Sequence, residues 1–406
     1  MAITIISSPA AEVNPVYNPF FYEVSSTNTG QPNFQYIFQI FQGATPVGTP
    51  IATINLLPRP STGYALLNPA RILESRVSYG LGYQNITNLT QQFVNIQEYN
   101  IDYGESYGPL SAGTAIYSGL NSSVGFVMNA VVQYDQLPNW ENMYDGLTTI
   151  PNAMFLTNQP RSGVYVREAT DRGCVSFFDS EWDGGDRTYS WRVKVYPNSG
   201  GTHTYDFTAT TLADDIYYVP TGPWNINNAG MGNIIDINND SHYTVDITSR
   251  HTIFFVPTAY TETLTYLIDH SCNKYVPQRV MWMNPYGGWD FFNFNLVSKE
   301  TLNVSRNTYK QTLPYNYTIG ARQTTVIEID GTYNYELNSD WINDSTSTWL
   351  QEMVISPEIY LLDTLGNAYP VQMVEDSYYI QKSINDKLYN VSFNFTSSYE
   401  INAARN

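Results

Sequence analysis

Hydrophobic and polar positions alternate with a period of two along much of this chain. In residues 34–41, Phe34, Tyr36, Phe38 and Ile40 alternate with Gln35, Ile37, Gln39 and Phe41, which predicts a β-strand with one heavily apolar face. Pro15, Pro19 and Pro32 precede it, Gly43, Pro46, Gly48 and Pro50 follow, and residues 51–57 then predict a partner strand. Short strand pairs punctuated in this way predict a sandwich of immunoglobulin-like type.

Residues 92–103 predict a further strand, and the Gly- and Ser-dense stretch 104–125 predicts a boundary or a long loop. Between about 130 and 272 lie several short β candidates, among them 189–196 and 251–256, separated by Asn- and Gly-rich turns such as 222–233. That spacing predicts a second β-sandwich, with no competing helical period. One helix is expected over 343–355, with Asn343 as N-cap and Trp349, Leu350, Met353 and Val354 on one face. Ser356-Pro357 stops it, because a residue before proline avoids the α region. Strands at 358–362, 370–374 and 388–395 follow. The expected fold is mainly β: two β-sandwich domains, immunoglobulin-like or jelly-roll-like, at 1–110 and 111–272, then a small α+β domain at 273–406 with a Gly-Gly hairpin and one helix. No solenoid repeat or coiled-coil heptad is visible.

Composition sharpens this picture. Charged residues make up only 14% of the 406 residues, against about 25% in ordinary soluble chains. The surface must therefore be largely neutral and polar. The 34 Tyr, 18 Phe and 8 Trp favour half-buried strands and subunit interfaces. A net charge of −18 argues against a nucleic-acid-binding face and against docking on anionic lipid, and it is read first as a solubility feature. Cys174 and Cys272 could form at most one bridge and are expected as small core residues. The opening residues lack the pattern of a secretory leader, and no uninterrupted apolar run of about 18 residues occurs, so a soluble protein made in a cytoplasm is expected.

Candidate chemistry is sparse. His203, His242, His251 and His270 sit in no catalytic signature, and GxSxG is absent. Asp179, Glu181, Asp183 and Gly184 have the spacing of half a calcium loop, but Ser190 stands where the bidentate Glu belongs. Asp236, Asn238 and Asp240 fail likewise at Ile247. Polar turns are expected at both, with adventitious calcium as the alternative. GLGYQN, residues 80–85, lacks the third glycine and the βαβ context of a phosphate loop. No catalytic residue, metal or cofactor is assigned. A carboxylate pair across a cleft, or exposed aromatics stacking on sugars, would be the route to a hydrolase or a glycan binder.

Residues 272–296, CNKYVPQRVMWMNPYGGWDFFNFNL, resemble a segment of structural proteins of tailed phages, especially those of Bacteroidetes hosts or environmental phages. The resemblance rests on Arg279 opening a strand that ends in Trp282 and Asn284, on the Gly287-Gly288 turn, and on Asp290, Phe291, Phe292 and Phe294 in the return strand. The pattern predicts a hairpin whose two glycines accept positive φ and whose Phe292 and Phe294 face one core. Residues 337–362, with Trp341, Trp349 and Pro357, look similar to the same group, and the N-terminal FQYIFQIF strand does so loosely. The resemblance implies a virion structural protein, a tail, baseplate or neck component assembled in the host cytoplasm into a ring or trimer. Its implied partners are other copies of itself and other virion structural proteins, without nucleic acid or membrane insertion. A receptor-binding or head-decoration protein touching host glycans is the alternative, followed by a tail-associated glycan hydrolase and a secreted adhesin.

Overall fold

The computed structural model describes residues 3–92, 94–108, 116–117, 121–148, 153–179, 187–208, 215–251, 257–271, 274–374 and 390–402. The chain is mainly β, and its described strands form five sheets. The alternating segment near the N-terminus forms the strand Gln35–Gln42, antiparallel to Ala52–Leu56 on one side and to Ile96–Tyr107 on the other. Because residues two apart share a face of a strand, Tyr36, Phe38 and Ile40 turn together onto Val24, Leu67, Tyr99 and Ile101. The facing sheet of Ile3–Ser7, Tyr22–Ser26 and Ala65–Leu67 closes this sandwich. In its centre the hydroxyls of Tyr22 and Tyr99 bond at 2.9 Å, satisfying two polar tips that water cannot reach.

Strand pairing joins residues on either side of the boundary expected at 110. Asn121–Met128 joins the first sandwich beside Ile96–Tyr107 and pairs in parallel with Val13–Pro15. The stretch expected to be a loop thus holds strand at both ends, while residues 109–115 and 118–120 lie outside the described residues. Thr90–Gln92 leaves the sandwich and completes a three-stranded sheet with Asp215–Pro220 and Cys174–Asp179.

In the middle sheet, Arg187–Pro197 turns Tyr189, Trp191, Val193 and Val195 inward beside Tyr243, Val245 and Ile247 of Asp240–His251. Of the strand expected at 251–256, His251 ends Asp240–His251, and 252–256 lie outside the described residues. Three α-helices among the described residues lie beyond the one expected, the first being the single turn Ala70–Leu73. Residues 222–233, expected as a turn, begin with the short helix Pro223–Asn227. Trp140–Thr148 is helical because Trp140, Tyr144 and Leu147 recur at helical spacing on one buried face, and the Trp140 indole donates to the Val13 carbonyl at 3.0 Å.

The expected helix is Asp344–Ile355, capped by Asn343, whose side chain accepts from the Thr346 N–H at 2.9 Å. It packs Trp349, Leu350 and Met353 onto one face of a seven-stranded antiparallel sheet. The strand order is Trp289–Phe294, Gln278–Met283, Ile359–Leu362, Ala368–Met373, Ser392–Asn402, Thr324–Asn338 and Lys299–Lys310. The last two strands form a long hairpin arm that the sequence did not suggest. At its other end the sheet is buried on both faces. Trp282 and Phe294 face the core shared with the middle sheet, whereas Met281, Trp289 and Phe291 face Cys174 and Tyr218. Among the described residues no helix is long and apolar enough to cross a membrane.

Candidate functional site

The Gly-Gly hairpin sits where the N-terminal sandwich, the middle sheets and the C-terminal sheet meet. Gln278–Met283 and Trp289–Phe294 pair in strict register, Trp282 opposite Asp290. The turn between them is organised by Asn284, whose side-chain oxygen accepts from the N–H of Tyr286 at 3.1 Å and of Gly288 at 2.9 Å. Its amide nitrogen donates to the Leu156 carbonyl at 2.9 Å and to Asp290 at 3.0 Å.

Only one of the two glycines has the positive φ expected of both. Gly287 sits at φ 72, and a Cβ there would lie 2.1 Å from the Asn129 carbonyl oxygen and 2.6 Å from Asn95 Oδ1. Gly288 lies outside the positive-φ region and is needed for space instead, since its Cβ would lie 2.5 Å from Ser176 Oγ. The Gly287 carbonyl accepts from Asn95 at 3.1 Å and the Pro285 carbonyl from the Val131 N–H at 2.7 Å, so the turn is fastened to the first sandwich by its backbone.

Asp290 is fully buried and accepts from three donors: Thr157 Oγ1 at 2.8 Å, Asn284 Nδ2 at 3.0 Å and Trp349 Nε1 at 2.6 Å. Burial raises its pKa, opposed by the Trp349, Asn284 and Thr157 hydrogen bonds. One carboxyl therefore ties the hairpin, the segment before Val164–Val166 and the C-terminal helix together. Trp282 stacks obliquely on Trp349 at 4.9 Å, and Phe292 meets Phe294 edge-on at 5.1 Å, facing one core as the pattern suggested.

On the opposite face Arg279 forms a second buried cluster. It donates to the Arg172 carbonyl and to Asn293 Oδ1 at 2.7 Å, and Asn293 donates to Asp171 at 2.6 Å. Asp171 also accepts from the Arg167 N–H at 2.8 Å, fixing the local turn. Arg172 lies over the Trp224 ring at 3.5 Å and reaches Asn85 Oδ1 at 2.6 Å. The GLGYQN stretch thus serves as an anchor, and Asn225 holds it through the Gln84 and Ile86 carbonyls. A cavity of about 380 Å³ opens beside Arg279, lined by Glu168, Asp171, Arg172, Lys274 and Asp363 among others.

The hairpin residues Arg279, Trp282, Asn284, Gly287, Gly288, Asp290, Phe292 and Phe294 and the helix residue Trp349 converge on this junction. Trp341 and Pro357 lie at its rim. Trp341 is 65% exposed on a cleft of about 350 Å³ shared with Tyr165, Phe292 and Trp349, and Pro357 lines a cavity of about 390 Å³ shared with Asn129, Asn284 and Glu352. The residues that complete the junction, Asn95, Asn129, Thr157, Asp171, Asn225 and Glu352, were not singled out from sequence. A polar residue set between Met128 and Ala130 in a buried run was the one available signal for Asn129.

Glu352 is the least comfortable member. Its Oε1 accepts from Asn158 at 2.7 Å, its Oε2 is buried with no partner, and burial followed by the charge of Asp290 pushes its pKa from 4.5 up to about 8. The folded chain then keeps a proton that the unfolded chain releases above its ordinary pKa. This stability is complete below the unfolded value and is lost as pH rises through about 8. Glu352→Gln, neutral at every pH, should leave stability near pH 4 unchanged and raise it near pH 9 by about 3 kcal/mol after discounting for partial exposure. Denaturant unfolding at the two pH values checks this, and equal shifts at both would contradict it.

The other candidates disperse. Asp179 accepts from the Tyr189 and Tyr260 hydroxyls at 3.0 and 2.8 Å in the core, while Glu181, Asp183 and Gly184 lie outside the described residues. Asp236 closes a polar turn, accepting from the Asn238 N–H at 2.9 Å and Asn239 at 2.6 Å, and these donors hold it below the usual carboxylate range. Among the described residues no group of three or more His, Cys, Asp or Glu is placed to hold a metal. His203 opens a strand, His242 stacks on Tyr196 at 4.2 Å, and His270 bonds the Asp240 carbonyl at 2.8 Å. His251 ends a strand and its side chain is outside the described residues, as is Cys272. Cys174 is a buried free thiol whose pKa burial pushes well up.

No family model matches the chain, and no curated protein matches it. Among solved structures it is similar to the calcium binding domain CBD12 of CALX1.1, at 9% identity and a TM-score of 0.19, over 66% of this chain and 100% of that one. CBD12 from CALX1.2 follows at 8% identity and a TM-score of 0.20, over 63% of this chain and 84% of that one. Likeness at this level carries no argument about this chain.

Proposed function

We propose that this chain is a virion structural protein of a tailed phage, of tail, baseplate or neck type, which works by protein–protein contact and not by turnover. The observation that supports the reading is the use made of the hairpin that resembles such proteins. Its Arg279, Asn284 and Asp290 are consumed in buried hydrogen bonds that join three parts of the chain, leaving those groups to position sheets. Mass spectrometry of purified particles is expected to find the chain at a fixed ratio to other structural proteins. Its absence from particles that assemble while it is expressed would end the reading.

A second reading, contact with host glycans, is favoured by Trp341 and Tyr165, both exposed beside a cleft whose walls include Asp269, Asn295 and Asp340. Glycan-array screening of the purified chain separates it from the first.

A further inference from the structure

The hairpin arm is the part of the molecule whose surface the described residues leave uncovered. Lys299–Lys310 is the edge strand of the C-terminal sheet, and eleven of its twelve residues are exposed. Among the described residues, its partner Thr324–Asn338 is supported by Ser392–Asn402 only from Asp330 to Asn338. Beyond Asp330 the ribbon continues as two strands, Arg306–Lys310 against residues 324–329, and then as the loop 311–323. That loop is held by its own turns, including Gln311 N–H to the Gln323 carbonyl at 2.8 Å.

A two-stranded ribbon bare on both faces is marginal in water, and this one displays apolar side chains that no other described residue covers. Tyr315 and Ile319 are each 105% exposed, and Tyr317, Ile327 and Tyr309 are exposed beside them. The arm is also cationic within an acidic chain. From residue 306 to 329 the projecting ribbon carries Arg306, Lys310 and Arg322 against a single carboxylate, Glu328, whereas the whole chain has a net charge of −18. Oppositely charged surfaces attract across an interface and like charges repel.

We infer that the arm docks on the acidic body of a second copy of this chain, its tip tyrosines and Ile319 supplying the apolar contact and its basic residues the attraction. Charge decides the geometry. Two arms brought together would join two net-positive ribbons, whereas the rest of the chain carries its excess of carboxylates, so the contact runs from arm to body. A contact between two different surfaces is heterologous, and repetition of it gives a ring when the rotation closes and a filament when it does not. The inference rests on the structural reading above and gives that reading its partner and its surface.

Sedimentation of the purified full-length chain at low and at about 1 M salt, where screening acts within about 3 Å, tests it alongside two variants. Arg306→Glu/Lys310→Glu/Arg322→Glu removes the attraction, and Tyr315→Ser/Tyr317→Ser/Ile319→Ser removes the apolar tip. All six side chains are exposed, so near-ultraviolet circular dichroism should stay that of the parent. The parent is expected to associate at low salt, to weaken at high salt, and each variant to raise the dissociation constant at least about tenfold, the equivalent of 1.4 kcal/mol. Variants that associate as the parent does, a parent that is monomeric throughout, or a parent that gains mass only when duplex DNA is added would each overturn the inference. None of these results touches the detection of the chain in particles, so the two failures are distinguishable.

Discussion

Gly287→Ala is expected to destabilise the whole protein by about 2 to 5 kcal/mol, more than any exposed substitution would. Two costs add. Alanine at a positive φ costs about 1 to 2 kcal/mol, and overpacking a closed contact adds about 1 to 3 kcal/mol. The new methyl would lie 2.1 Å from the Asn129 carbonyl oxygen, which is backbone and cannot rotate away. Relief requires the hairpin to lift off the first sandwich, lengthening the Asn95 to Gly287 and Val131 to Pro285 hydrogen bonds. Guanidinium unfolding followed by tryptophan fluorescence measures the loss. A change under about 1 kcal/mol would mean that the hairpin does not rest on Asn129 as described.

Asp290→Asn should cost about 3 kcal/mol although it changes almost no volume. An ionised carboxylate only accepts, and here it accepts from a hydroxyl, an amide and an indole. Asparagine must point its NH2 at one oxygen position, facing either Asn284 Nδ2 or Trp349 Nε1. A buried donor then loses its partner, at about 1 to 3 kcal/mol, and the remaining bonds lose their charge. Trp349 offers a local readout, because its indole emission should shift when its acceptor is replaced. Unaltered stability together with unaltered emission would remove Asp290 from the centre of the junction.

How much of this was legible in the sequence depends on what each segment buries. Residues 34–41 announced their strand because one face is covered along its whole length, and 343–355 announced a helix through both its apolar face and its Asn343 cap. The arm was invisible for the opposite reason: KETLNVSRNTYK buries neither face, so nothing imposes alternation on it. Trp140–Thr148 was passed over because nine residues with one aromatic face give a weak period amid β-rich surroundings. The hairpin residues were recognisable as a pattern, but their partners Asn95, Thr157 and Asp171 come from distant positions and carry no local mark. Gly288 shows the finer limit. Sequence identifies where glycine stands, while φ at Gly287 and the crowding of Ser176 at Gly288 are different reasons for it.

The short strand Thr90–Gln92 has a consequence for how the chain is made. Its sheet partner among the described residues, Asp215–Pro220, is synthesised long after it. At about 5 to 20 residues per second, the ribosome leaves this segment without its ladder for on the order of ten seconds. Neighbouring nascent chains on one polysome carry the same unmatched edge during that interval, so the speed of translation, and any chaperone that shields residues near 90, should govern the yield of correctly folded product.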